Sequence, residues 1–210
     1  MISLGVLDGI NPYLVSLRKN KVLDNDGTIT YYIQAEKIEY IRKRITLKDK
    51  VQYQRPLPVK KLLTFDLDGD KKEEIITEIG GNEFGGGITV LKFSDTGIVR
   101  LLNTGVNTYN DSQFVSIWGV NFEGKPKLFI YSTDPSKNSD VNTSFGFISA
   151  SLHTNNIVID KFYPVNKMLD DVNNYRKVAA YKTDDRSFPF IVLDYNDELE
   201  KYTVKRAVLN

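Results

Sequence analysis

Along this chain, short runs rich in β-branched and aromatic residues alternate with clusters of Gly, Asn and Asp, a pattern that predicts strands and turns. The clearest unit is Phe65-Asp-Leu-Asp-Gly-Asp-Lys-Lys-Glu-Glu-Ile-Ile76, where an apolar strand enters an acidic turn and a second strand leaves through Ile75, Ile76 and Ile79. The same strand–turn–strand outline returns at Gly5–Val15 around Asp8-Gly9, at Gly119–Ile130 around Glu123-Gly124, and at Ala180–Val192 around Asp184-Asp185. A further strand signal follows each turn, over Thr28–Gln34, Gly87–Phe93, Ser144–Ala150 and Glu198–Val204. Between the first two units, Ala35, Ile38, Ile41 and Ile45 would share a helical face. Ile41, Ile45 and Leu47 equally fit alternation, and β-branching at Thr46 and the isoleucines favours strand there.

Asp8, Asp68, Glu123 and Asp184, taken as equivalent, are 60, 55 and 61 residues apart. Internal periods of this size mark repeat architectures, and this one fits a propeller unit of about four strands. The expectation is an all-β chain: one β-propeller-like domain over 1–210, with repeats at roughly 1–50, 51–106, 107–166 and 167–210. Four such units either close as a four-bladed ring or form part of a larger propeller.

Composition agrees with strands: 12 Tyr and 11 Phe stand against 2 Met and 1 Trp. With 28 basic and 27 acidic residues, no global charge draws the chain to nucleic acid or membrane. The absence of cysteine excludes disulfides, thiolate metal sites and cysteine nucleophiles. Asp8, Asn11 and Pro12 interrupt any signal-peptide core near the start, and no apolar run has the length of a membrane span.

The acidic turn carries the most specific chemistry. Asp66, Asp68, Asp70 and Glu74 occupy positions 1, 3, 5 and 9 of one loop, with Gly69 at its bend. Four carboxylates so close repel one another, which raises their pKa values or distorts the loop unless a cation intervenes. Ca²⁺ takes six to eight oxygen ligands in flexible geometry, and the Lys72 carbonyl at position 7 is a natural addition. An EF-hand is excluded, because its glycine belongs at position 6 and position 12 here is Thr77.

Residues Asp66–Ile76 resemble the FG-GAP/VCBS-type repeats of integrin-like β-propellers, whose units carry Asp-x-Asp-Gly-Asp-x-x-x-Asp/Glu followed by two aliphatic residues. The resemblance covers the second unit and extends into the Gly80–Gly87 run and its following strand; the other three units lack the full ligand set. It implies one structural calcium site, ligated by Asp66, Asp68, Asp70, Lys72 and Glu74, in a non-enzymatic module that binds a protein or glycan. Because cytosolic calcium is low, it also implies an extracellular or cell-surface location, on a bacterium. A cytoplasmic location is the alternative if the loop binds no metal.

Other readings stay open beside this one. Nine basic residues between Lys37 and Lys61, Lys43 and Arg44 among them, face only Glu39 and Asp49. With Tyr40 and Tyr53 interleaved they make either a polyanion-binding patch or edge strands blunted against aggregation. Trp118 is expected to pack between units, with ligand anchoring as its alternative. Carboxylates such as Asp170, Asp171 and Asp194 would serve a carbohydrate-active enzyme with its site in the propeller channel. His153, the single histidine, has no Gly-x-Ser-x-Gly elbow to work with and is expected at a strand end or on the surface.

Overall fold

The computed structural model describes residues 1–19, 31–41, 44–55, 59–79, 86–94, 97–100, 107–108, 116–133, 145–154, 156–164, 175–180, 187–196 and 200–209. Among them all regular structure is β, arranged in four antiparallel sheets of consecutive strands. The first sheet holds β1 (Ile2–Gly5), β2 (Tyr13–Lys19), β3 (Tyr31–Ile41) and β4 (Arg44–Arg55). The second holds β5 (Val59–Phe65), β6 (Glu74–Ile79), β7 (Gly86–Ser94) and β8 (Gly97–Arg100), with the short β9 (Asn107–Thr108) also paired to β7. The third holds β10 (Ser116–Phe122), β11 (Lys125–Thr133), β12 (Phe145–His153) and β13 (Asn156–Pro164). The fourth has three strands: β14 (Tyr175–Ala180), β15 (Phe188–Asn196) and β16 (Lys201–Leu209). Residues 35–41 and 44–47 are strand rather than helix.

Apart from β9, each sheet is a meander in chain order, in which every strand pairs antiparallel with the next. The turns at Asp8, Asp68 and Glu123 all join the first strand of a sheet to its second. Asp184 and Asp185 lie outside the described residues, as do Asp170, Asp171 and the segment from 134 to 140. In the third sheet Phe122 pairs with Lys125, so the turn is the two residues Glu123 and Gly124, at φ 55° and 70°. Positive φ at both central positions is the type I′ geometry that matches strand twist.

Packing runs face to face from sheet to sheet. Tyr13, Val15, Ile33 and Ala35 of the first sheet meet Leu62, Ile75 and Leu91 of the second. On the other face of the second sheet, Ile76, Ile88 and Val90 meet Ile117, Leu128, Ile130 and Ile148 of the third. Phe129, Tyr131 and Phe147 then face Phe188, Phe190 and Val192 of the fourth. This explains the local sequence. In Ile75-Ile76 and Leu128-Phe129-Ile130-Tyr131 neighbouring residues serve opposite cores, so sheets covered on both faces read as continuous apolar runs. The fully buried side chains of the third sheet are aliphatic on one face and aromatic on the other, where Phe129 stacks on Phe188 at 4.5 Å between ring centroids.

First strands adjoin first strands: β1 packs beside β5, β5 beside β10, and β10 beside β14. Two glycines permit that approach. A Cβ at Gly5 would meet Thr64 Cβ at 2.7 Å, and one at Gly119 would meet Phe65 Cβ at 2.6 Å. The two outer sheets each keep one less covered face, where Ile2 and Leu4 of β1 and Tyr202, Val204 and Val208 of β16 are exposed. No closed ring is identified among the described residues. Nor does any helix among them have the length and apolarity to cross a membrane.

If Gly119 is small because β10 must lie against Phe65, Gly119→Ala should destabilise the protein by about 1–3 kcal/mol, the usual cost of overpacking. Urea unfolding measures it. Gly124→Ala, where no atom lies within 4 Å of the added Cβ but φ is positive, separates backbone strain from this clash.

Candidate metal centre

The loop between β5 and β6 is held at both ends by neighbouring sheets. Leu67 inserts into the core between the second and third sheets. Glu73 reaches the first sheet twice: its N–H donates to the Val6 carbonyl at 3.0 Å, and its Oε2 accepts from Val6 N–H at 3.0 Å. Between these anchors the acidic side chains fold the loop on itself. Asp66 accepts from Gly69 N–H at 2.8 Å and Lys71 N–H at 2.9 Å. Asp68 accepts from Asp70 N–H at 3.1 Å, and Asp70 from Lys72 N–H at 2.8 Å. Such Asx turns, with Gly69 at φ 80° and Lys71 at φ 69°, bend the chain tightly.

Glu74 differs from the others in being fully buried. As first residue of β6 it already lies in the stack, with Ile75 and Ile76 behind it facing opposite cores. Its Oε2 accepts from Leu67 N–H at 2.8 Å, while Oε1 is buried with no hydrogen-bond partner. Oxygens of Asp66, Asp68 and Glu74 lie within 4.8 Å of one another, a grouping able to hold a metal ion. Hard carboxylate oxygens suit Ca²⁺, and the orphaned Glu74 oxygen is a site a cation would satisfy. Asp70 lies outside that grouping, and Lys72 has its N–H on Asp70 and its side chain exposed beside Gly9.

A cation of the chain's own reaches the same place. Lys92, from β7, hydrogen-bonds Asp68 and pairs with Asp70 at 3.0 Å and Glu74 at 3.5 Å. The sequence offered one sign of it, a lone lysine in the apolar strand Ile88–Phe93. Its meeting with a loop about twenty residues earlier depends on the register of β6 against β7. Burial pushes the Glu74 carboxyl up to about 7, with the Asp68 and Asp70 charges adding to it and the Leu67 N–H and Lys92 opposing. Burial also acts to raise Asp70, but hydrogen bonds from Lys92 and Lys72 hold it below its ordinary range. Burial disfavours the charge on Lys92, and its bonds to Asp68 and Asp70 overcome this and raise its pKa. Glu74 thus shows the expected rise in carboxyl pKa, whereas Asp70 runs the other way because Lys92 stands beside it.

The equivalent turn of the first sheet satisfies its acid differently. Asp8 accepts from Ile10 N–H, Asn11 N–H, the Asn11 amide and the Tyr13 hydroxyl, at 2.9, 2.7, 2.7 and 3.1 Å. Burial alone would raise this carboxyl, but these donors bring it down to about 2.

Among the described residues, none of the remaining candidates belongs to this carboxylate grouping. Trp118 is half-buried between the third and fourth sheets, with Phe147 and Phe188 at 5.9 and 5.8 Å between centroids, and Lys61 lies over its ring at 4.9 Å. Lys61 itself donates to the Ile117 carbonyl at 2.5 Å, so the end of the basic stretch is tied into the fold. Arg44 and Tyr53 are backbone positions of β4 and Asp194 of β15, while Lys43 lies outside the described residues. His153 ends β12 and is exposed. No family model matches the chain, and neither does a curated protein or a solved structure.

With a folded value of about 2 against an ordinary 3.8, ionised Asp8 contributes stability that is complete above pH 3.8 and lost as pH falls toward 2. Urea unfolding of wild type and Asp8→Asn across this range should show a gap at pH 5 that narrows steadily below 3.8. A gap independent of pH would contradict the hydrogen-bond account of this turn.

Proposed function

We propose that the chain is a non-enzymatic β-propeller module that binds a protein or glycan, and that its second sheet carries one structural calcium ion. The observation that carries the metal is Glu74: a wholly buried carboxylate with one oxygen that accepts no hydrogen bond, facing two further carboxylates within 4.8 Å. Asp66, Asp68 and Glu74 would hold the ion, with Asp70 and the Lys72 carbonyl as further oxygen donors. Calcium would supply charge neutralisation and a clamp between the two ends of the nine-residue loop. It would have no chemical step to perform.

Support for the propeller comes from the order of the sheets. Successive meanders stack face to face and put their first strands side by side, as propeller blades do around an axis. The exposed Ile2, Leu4, Tyr202, Val204 and Val208 lie on faces that ring closure or additional blades would cover. The likeness of Asp66–Ile76 to FG-GAP/VCBS-type repeats supports the same reading and, through calcium availability, a place outside the cytoplasm. Ligand binding then falls to the loops joining strands at the ends of the sheets.

Calorimetric titration of chelator-treated protein with Ca²⁺, alongside thermal melting, tests the reading. One saturable site and a raised melting temperature are expected, both lost in Asp68→Ala. Calcium at 100 times its Kd should add about 2.7 kcal/mol of stability. No heat and no shift at millimolar calcium would overturn it.

A further inference from the structure

The loop backbone and a cation divide the carboxylate oxygens between them. Asp68 Oδ1, Asp70 Oδ1 and Glu74 Oε2 each accept a backbone N–H, at 3.1, 2.8 and 2.8 Å. The second oxygen of each, Asp68 Oδ2, Asp70 Oδ2 and Glu74 Oε1, turns to the Lys92 ammonium. That ammonium serves the three unequally. It hydrogen-bonds Asp68 and stands 3.0 Å from Asp70, but reaches Glu74 Oε1 only at 3.5 Å, leaving this buried oxygen without a hydrogen bond.

Lys92 is therefore an imperfect occupant of a place shaped by backbone hydrogen bonds. An ammonium has three donors and one charge, whereas calcium accepts six to eight oxygens and carries two. The lysine can also withdraw. Its strand is fixed by pairing with β6 and β8, but its charge rides on a flexible four-carbon stem, and the side chain is 26% exposed.

We propose that Lys92 is a built-in rival for the calcium ion, filling the cation position and setting the calcium concentration at which the loop loads. This rests on the reading that the loop takes calcium, and adds how that site is regulated. Loading requires the ammonium either to leave its three carboxylates or to stay beside a dication, and both weaken calcium binding. The same ammonium keeps the loop folded when calcium is scarce, because it offsets charges that would otherwise repel.

The test compares wild type, Lys92→Met and Lys92→Gln, each as the full chain stripped with chelator, by calcium calorimetry and thermal melting. Both variants should bind calcium at least about tenfold more tightly than wild type. Both should melt lower than wild type in chelator, with saturating calcium closing that gap. Lys92→Gln keeps polar donors at the position should Lys92→Met fail to fold without calcium. Wild-type affinity in both variants would overturn the rivalry and leave the calcium site standing. Absence of binding in all three proteins would overturn the calcium reading and the rivalry with it. Binding by the variants alone would overturn both, because Lys92 would then be a permanent replacement for calcium in the wild-type loop and not a rival that sets when it loads.

Discussion

The structure depends on the second sheet being covered on both faces. Ile75 and Leu91 meet the first sheet, and Ile76, Ile88 and Val90 meet the third. A sheet sandwiched in this way has no solvated face on which to put a polar side chain at the start of a strand. Glu74, the first residue of β6, is accordingly taken out of water together with its apolar neighbours. A carboxylate in that position must become neutral or meet a cation. Burial draws its pKa up to about 7, and Lys92 is brought within ion-pair distance by the pairing of β6 with β7. The electrostatics of the loop thus follow from the packing of the sheets behind it.

Hairpins at the same place in three sheets solve the same bending problem by different chemistry. In the first sheet, Asp8 is saturated by four donors from its own turn. In the third, Glu123 and Gly124 take positive φ and make a two-residue turn that needs no side-chain support. Only the second turns spare carboxylate oxygens toward a cation. It is also the turn tied to its neighbour, through the paired hydrogen bonds of Glu73 with Val6. Whatever cation fixes this loop therefore acts on the junction between the first two sheets as well.

Much of the architecture was legible because strand periodicity is local. Paired aliphatic residues such as Ile75-Ile76 and the aromatic–aliphatic run Leu128–Tyr131 record which faces are covered, and Gly69 and Gly124 mark turns that need positive φ. The carboxylates of the loop were legible for the same reason, since their spacing is set within nine residues. Lys92 was not, because its partnership with Asp68 and Asp70 is created by strand register rather than by spacing along the chain. The tasks of Gly119 against Phe65 and of Glu73 against Val6 were hidden likewise, since each contact joins two different sheets. Trp118 packs between the third and fourth sheets, but the lysine over its ring comes from the second.

The measurement that bears most directly on this account is a high-resolution crystal structure of the protein grown in calcium. The account predicts an ion bound by Asp66, Asp68 and Glu74, with Glu74 Oε1 among its ligands and the Lys92 ammonium drawn away from the carboxylates. A structure at millimolar calcium with Lys92 still between Asp68 and Glu74, and no ion in the loop, would contradict it.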